Sequence, residues 1–180
     1  MTVNRVRTLV TVLQHGNLNP LSVGVFNCRS IHNKFASIAK LITERRLNVI
    51  GVVETWHDAH DCPDLIACAS PGYSYIDRPR LCLGSLAVNL RSNHGGVALL
   101  YRNDVHVRKV SLPEYKSFEQ VSAFLQCPSF STLAVVIYRP GTLPATEEFF
   151  IDFSDVLERV ATYSNLLIVG TCTSTIAMIQ

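Results

Sequence analysis

The sequence has few charged residues, no Cys-x-x-Cys pair and no apolar run long enough to span a membrane. Charged side chains make up 17% of the 180 residues and hydrophobic ones 48%, a composition that excludes a disordered chain. The six scattered cysteines argue against a zinc ribbon or a thioredoxin-like motif. We therefore expect a compact intracellular protein, nuclear or cytoplasmic, with reduced cysteines and no membrane partner.

The net charge of +2 is too small to indicate nucleic-acid binding by itself, and the length suits one domain with a substantial core. We predict a leader at 1–20, formed by a short helix or a loose segment without the apolar block of a signal peptide. The domain itself is predicted over 21–170. The remaining residues, 171–180, have neither charge nor a clear period and form a divergent tail.

A buried strand that ends in a carboxylate is the most informative segment of the chain. Residues 49–53 are apolar and rich in β-branched side chains, as in a strand that is buried on both faces, and Glu54 follows directly. Glutamate is almost never fully buried without a partner, so Glu54 is expected at the rim of the sheet, where open α/β sheets bind ligands. The alternative is a strand that simply ends at the surface.

This strand is the second half of a strand-helix-strand unit. Residues 22–28 have the pattern of a strand, and 33–46 carry apolar side chains at helical spacing. The helical crossover makes the two strands parallel, so Asn27 and Glu54 are expected to face the same cleft. The order of segments predicts a layered α/β architecture of two packed sheets with helices outside. The later segments are strands at 73–76, 97–101, 105–110, 118–126 and 131–138, a helix from 146 and a strand at 165–170.

Six short motifs follow one another along residues 21–170. They are FNCRS at 26–30, VETW at 53–56, GGVALLYR at 95–102, SFE at 117–119, IYRPG at 137–141 and LIVG at 167–170. In sequence and order they resemble those of the endonuclease/exonuclease/phosphatase superfamily, and they are most similar to the apurinic-endonuclease-like domain of non-LTR retrotransposon polyproteins. The resemblance implies a four-layer α/β sandwich, two packed β-sheets flanked by helices, that performs Mg²⁺-dependent hydrolysis of DNA phosphodiesters.

The same resemblance implies roles for four residues. Glu54 would be a ligand of Mg²⁺, and Asn27 would orient the acidic group on the metal side or the phosphate. Tyr138 would donate a hydrogen bond on the phosphate side, and Glu119 would be a supporting acid near the cleft. The alternatives are a helix-capping Asn27, a half-buried sheet tyrosine at Tyr138 and a solvated Glu119.

The chain departs from the family after the last predicted strand. The family's Gly-Asp-x-Asn motif here is residues 170–173, with Thr171 and Thr173 in place of Asp and Asn. A threonine hydroxyl has neither the charge of a carboxylate nor a useful pKa near neutrality. The terminal Ser-Asp-His motif has no counterpart either. We expect a truncated or degenerate retroelement endonuclease with little or no catalysis.

A sandwich that is incomplete at its C-terminal end is expected to leave an unpaired sheet edge, which another chain could cover. Two other functions stay open. One is a non-catalytic remnant that binds DNA or protein, and the other is an active phosphatase or lipid phosphodiesterase of the same superfamily.

Three further patterns have more than one interpretation. Residues 57–61 (HDAHD) could bind zinc if they were helical, but a solvated polar loop beside the cleft is favoured. Gly95 and Gly96 indicate a turn at the entry of a strand, because no helix or Lys-Ser/Thr follows them. Arg29, Arg102 and Arg139 lie near predicted strand ends, where they contact phosphates or are simply solvated.

Overall fold

Two five-stranded sheets lie face to face in a computed structural model that describes residues 8–13, 21–69, 71–80, 95–140, 145–171 and 175–179. The first sheet is formed by Thr8–Leu13 (β1), Leu21–Asn27 (β2), Val49–Val53 (β3), Tyr73–Arg78 (β4) and Val97–Arg102 (β5), in the order β1-β2-β3-β5-β4. The second is formed by His106–Val110 (β6), Glu119–Cys127 (β7), Phe130–Tyr138 (β8), Leu166–Thr171 (β9) and Thr175–Ile179 (β10), in the order β10-β9-β8-β7-β6.

Helices cover the outer faces of both sheets, as the sequence predicted. Phe35–Arg45 (α1) and Pro63–Cys68 (α2) pack on the first sheet, and Glu147–Val160 (α3) packs on the second. A third apolar cluster fills the space between the sheets. A Cβ at Gly51 would lie 3.0 Å from Val169 Cγ2, so glycine lets the sheets approach closely at this point. The predicted four-layer α/β sandwich is confirmed.

Each sheet contains one parallel strand pair that is joined by a helix. In the first sheet β2 runs parallel to β3 through α1, with Asn27 opposite Val53. In the second, β8 runs parallel to β9 through α3, with Tyr138 opposite Thr171. Because parallel strands end at the same edge of a sheet, each pair presents its carboxyl ends together.

The helix of the second pair begins where the sequence predicted. The Thr146 side chain accepts a hydrogen bond from the backbone N–H of Phe149 (3.3 Å), and Glu147 and Glu148 occupy the first turn. Both features stabilise a helix N-terminus. Phe149 and Val156 are buried against the sheet, so the apolar stripe of α3 fixes its orientation.

The structure differs from the prediction at both ends of the chain. Residues 8–13 form β1, which pairs antiparallel with β2, so the expected short helix or loose segment is wrong there. Residues 175–179 form β10, which pairs antiparallel with β9. The sequence predicted an unpaired edge at this side of the sheet, but β10 covers the edge of β9. Both segments are short and apolar, and a sheet edge favours such segments as strands. The boundaries 1–20, 21–170 and 171–180, and a partner chain at the new edge, stay predictions.

Two predictions from composition can be compared with the part of the chain that the structure describes. Cys28, Cys62, Cys68 and Cys127 are free thiols there. None of the helices in those ranges is both long and apolar enough to cross a membrane.

Candidate functional site

Glu54 lies in a turn whose backbone is held in an unusual conformation. Glu54 has φ +55° and Trp56 has φ +57°, values in the left-handed region that non-glycine residues rarely adopt. Such strain persists where the surroundings determine the conformation, and it occurs preferentially at functional sites. Backbone hydrogen bonds hold this turn on both sides. They are Ser30 N to Glu54 O (2.8 Å), Ile31 N to Thr55 O (2.9 Å), Thr55 N to Gly96 O (3.2 Å) and Trp56 N to Gly95 O (2.7 Å).

The side chains of Glu54, Asn27 and Tyr138 meet where the two parallel pairs end. Asn27 Nδ2 donates a hydrogen bond to Glu54 Oε1 at 2.7 Å, which confirms the predicted proximity of these two residues. The Tyr138 hydroxyl lies near Glu54, close enough for the carboxylate to affect its pKa. Burial raises the pKa of Tyr138, and the charge of Glu54 raises it further, so the phenol stays protonated and can donate. The structure therefore brings three of the four predicted residues together.

Glu119 lies beside this cluster, but its carboxylate is hydrogen-bonded to the backbone of Gly96 and to the side chain of Arg80. It is the cross-strand neighbour of Tyr138 in the β7–β8 ladder. Its Oε2 accepts a hydrogen bond from Gly96 N (2.7 Å), and its Oε1 accepts one from Arg80 Nε. Both oxygens are thus engaged, and Glu119 joins β7 to the entry of β5. Gly96, with φ +88°, forms the predicted strand-entry turn.

A network of hydrogen-bonded side chains, most of them buried, supports the turn at Glu54. His57 is 3% exposed, and its Nε2 lies 2.9 Å from Asp77 Oδ2 while its Nδ1 lies 2.6 Å from Thr55 Oγ1. Because an ionised carboxylate only accepts, Nε2 donates to Asp77, and Nδ1 shares a hydrogen bond with the Thr55 hydroxyl. His60 Nδ1 lies 3.0 Å from the other oxygen of Asp77. The favoured interpretation of 57–61 as a solvated loop is therefore wrong at His57.

Asp77 is the acidic centre of this network. Burial opposes its ionisation, but the hydrogen bonds from His57 and His60 outweigh that effect and lower its pKa. A Cβ at Gly96 would lie 2.3 Å from Thr55 Oγ1 and 2.9 Å from His57 Nδ1. Only glycine therefore fits beside this network.

Thr171 and Arg139 lie at the end of the other parallel pair. Thr171 Oγ1 is buried, and no described residue hydrogen-bonds to it. Arg139 N donates to Thr171 O (2.8 Å), and the Arg139 guanidinium lies 5.1 Å from the centre of the Phe149 ring. Arg139 is 3% exposed, so a solvated charge is wrong for this residue. Arg29 is exposed, and Arg102 forms a surface ion pair with Asp104.

This site offers some of the oxygen ligands that a hard divalent cation requires. Glu54 supplies one carboxylate, and Asn27 Oδ1 is a buried oxygen to which no described residue donates. Within the described ranges, no three His, Cys, Asp or Glu side chains converge as a metal site. Mg²⁺ is often bound in proteins by one or two carboxylates together with substrate phosphates. Glu54 and Asn27 match the protein's share of such a site.

The sequence prediction missed the supporting residues Thr55, His57 and Asp77. Asp77 is twenty positions from His57 in sequence and belongs to β4 on the far side of β5. Only the pairing of β4 with β5 brings it close. One signal in the sequence was usable. His57 lies three positions after Glu54, just beyond the end of a strand, and a polar side chain that is buried there needs a hydrogen-bond partner.

Solved structures of the same fold come from several DNA-processing proteins and a sugar phosphatase. The 3′ phosphatase NExo from Neisseria, bound to a product DNA hairpin, is 15% identical over 84% of this chain, with a TM-score of 0.59. The endonuclease domain of TRAS1, a telomere-specific non-LTR retrotransposon, is 12% identical over 83%, with a TM-score of 0.55. The mannosyl-6-phosphatase Bt3783 of Bacteroides thetaiotaomicron is 16% identical over 79%, with a TM-score of 0.53.

The chain shares the fold of these proteins. It spans 57% of the Neisseria protein, 58% of the TRAS1 domain and 57% of the Bacteroides enzyme. No family model and no curated protein matches the sequence. At these identities the comparisons establish the fold, and function must be argued from the site itself.

Proposed function

We propose that this chain is a nuclease-like, DNA-binding domain of a retroelement-derived protein that acts in the nucleus or cytoplasm with little or no hydrolysis of its own. The observation that carries the proposal is the convergence of Asn27, Glu54 and Tyr138 at the ends of two parallel strand pairs. The motif order and the shared fold of the TRAS1 endonuclease domain support the retroelement origin.

The three side chains have complementary chemistry for a phosphodiester. Glu54 and Asn27 Oδ1 would hold Mg²⁺, which when bound polarises a phosphate oxygen. Asn27 Nδ2 fixes the orientation of the Glu54 carboxylate. The protonated Tyr138 hydroxyl can donate to a non-bridging phosphate oxygen when Glu54 turns to the metal. These functions are sufficient for binding and orienting a phosphate.

Among the residues of this site that the structure describes, none offers equivalent support for activation of the attacking water. Thr171 occupies the position that the resemblance assigns to an aspartate, and Thr173 that of an asparagine. The Thr171 hydroxyl is neutral and cannot accept a proton near neutral pH. Losing one member of a cooperative catalytic group already removes most of the rate. Binding without turnover is therefore the function that these residues support.

The binding half of the proposal is tested with Mn²⁺ and duplex DNA. Mn²⁺ titration followed by electron paramagnetic resonance should show weak binding that is lost in Glu54→Gln and kept in Glu44→Gln, an exposed glutamate of α1. A gel-shift series should show DNA affinity that falls steeply with salt, as phosphate contacts require. Equal Mn²⁺ affinity in the two variants would contradict the assignment of Glu54.

The catalytic half is tested by plasmid nicking in Mg²⁺. The wild-type chain should nick no faster than Glu54→Ala. Nicking that disappears in Glu54→Ala would overturn the proposed inactivity while leaving the site assignment intact. The double variant Thr171→Asp/Thr173→Asn should raise the Mn²⁺ affinity by roughly tenfold or more, because it adds a carboxylate next to Tyr138 at the end of the β8–β9 pair.

A phosphatase acting on a smaller phosphate ester is the second candidate, and the fold shared with the Bacteroides mannosyl-6-phosphatase favours it. Release of inorganic phosphate from a panel of sugar phosphates, inositol phosphates and lipid headgroups distinguishes it from DNA binding. Turnover of any of these esters that is lost in Glu54→Ala would favour the phosphatase.

A further inference from the structure

Helix α3 presents a second face to solvent that its packing against the sheet does not use. Phe150 and Ile151 are 58% and 62% exposed, the highest values among the large apolar side chains that the structure describes. The Phe150 ring packs edge-on against the buried Phe149, with ring centres 5.4 Å apart, so it is held in place. A shallow groove is lined by six residues at helical spacing, Glu147, Phe150, Ile151, Ser154, Asp155 and Glu158.

The charge of this helix is opposite to that of the rest of the chain. Residues 147–160 contain five acidic side chains and one arginine, a net charge of −4, whereas the whole chain carries +2. The other residues therefore carry +6 together. Along the helix, Glu147 precedes the apolar pair of Phe150 and Ile151, and Glu158 follows it, with the small Ser154 between Ile151 and Glu158.

Charge complementarity restricts what can cover such a surface. A second copy of this face would bring like charges together, and nucleic acid or an anionic membrane would be repelled. A basic protein segment satisfies both parts of the groove, because its aliphatic side chains cover Phe150 and Ile151 while its cations meet the acids. Helical segments commonly bind in grooves of this kind through side chains spaced one turn apart.

We propose that the outer face of α3 is a docking site for a basic amphipathic helix of a partner protein. Glu147 and Glu158 are eleven residues apart, which is about 16 Å along a helix. A partner helix that lies along α3 would therefore carry two Lys or Arg residues about three turns apart, with two aliphatic residues between them on the same face. This inference does not depend on the proposed DNA binding.

The test uses a synthetic twelve-residue helical peptide, with Lys at its first and last positions and Leu at its fifth and eighth, on an Ala/Gln background. Fluorescence polarisation of the labelled peptide against the full chain measures affinity. Ile151→Gln should weaken binding by roughly tenfold. The matched control Ile66→Gln changes an exposed isoleucine of α2 and should leave binding unchanged. Equal weakening by both substitutions, or by neither, would overturn the proposal.

A charge exchange identifies the ends of the groove. The double variant Glu147→Lys/Glu158→Lys should lose affinity for the Lys peptide and gain it for a peptide with Glu at both ends. Failure of the Glu peptide to bind this variant would overturn the predicted register. Replacing both Leu residues of the peptide with Gln should abolish binding, and retained binding would indicate unspecific charge attraction. Displacement of the peptide by duplex DNA would also count against a protein partner.

Discussion

The two parallel strand pairs have the same design, but their carboxyl ends carry different chemistry. The β2–β3 pair ends on Asn27 and Glu54, an amide and a carboxylate that hydrogen-bond to each other. The β8–β9 pair ends on the Tyr138 phenol and on the Thr171 hydroxyl, and no described residue hydrogen-bonds to the Thr171 side chain. The scaffold is thus repeated with different side chains, since the carboxylate Glu54 follows the first pair and the buried Arg139 follows Tyr138 in the second. The side chains that follow each strand determine the function, and the strands themselves only position them.

The two ends also differ in how their backbones are held. Glu54 adopts its left-handed conformation because neighbouring segments bond the turn and the buried Thr55–His57–Asp77 chain supports it. At the other end the special position is Gly170, directly before Thr171, where β9 approaches the backbone of β8. One end therefore depends on a polar network and the other on the absence of a side chain.

Gly170→Ala should have the largest effect on stability. A Cβ at this position would lie 1.8 Å from the carbonyl oxygen of Ile137, so the β8–β9 ladder must open to accommodate it. We expect a loss of at least about 3 kcal/mol of unfolding free energy, measured by urea denaturation. Gly72→Ala is the control, because its φ of +97° is also one that L side chains rarely adopt, but no described residue beyond its chain neighbours lies within 4 Å of the added Cβ. Its cost should be about 1 kcal/mol. Similar costs at both sites would contradict the close approach.

His57→Ala should have the next largest effect, at the other end of the comparison. It removes the contact of the buried Thr55 hydroxyl and one of the two histidine contacts of Asp77, and it creates a cavity, at a cost of about 3 kcal/mol. His60→Ala removes the second contact of Asp77, but this side chain is 63% exposed and should cost about 0.5 kcal/mol or less. Comparable losses in the two variants would show that His57 does not support the turn.

The sequence was sufficient for the regular part of the molecule and insufficient for the network. The periodicity around α1 and the apolar run before Glu54 predicted the first parallel pair, and with it the contact of Asn27 and Glu54. The His57–Asp77 contact depends on which strands become neighbours, information that local patterns do not contain. The strands β1 and β10 were missed for the same reason, since an edge strand forms where a sheet offers unpaired backbone groups.

The same substitution at two threonines measures the difference between the two ends directly. Thr55→Val removes a buried hydroxyl that hydrogen-bonds to His57, so it should cost about 1–2 kcal/mol. Thr171→Val removes a buried hydroxyl that no described residue bonds, so it should change stability by less than about 0.5 kcal/mol or increase it. Denaturation midpoints of the two variants give the comparison. A cost at Thr171 equal to that at Thr55 would reveal a hydrogen bond at the second end.

The smallest expected effect is a dependence of stability on pH that originates at the Glu54 end of the site, through Asp77. The hydrogen bonds from His57 and His60 lower the pKa of Asp77 below its ordinary value of 3.8 despite its burial. A lowered carboxyl pKa means that the unfolded chain binds the proton first as the pH falls. The stability from Asp77 is therefore complete above the ordinary pKa and is lost as the pH falls through the lowered one.

Unfolding free energies measured between neutral pH and pH 3 should decline less in Asp77→Asn than in the control Asp58→Asn. Asp58 is an exposed aspartate in the loop between β3 and α2. Parallel curves for the two variants would mean that Asp77 is not the acid-sensitive group, and that the Glu54 end of the site is no more pH-dependent than the Thr171 end.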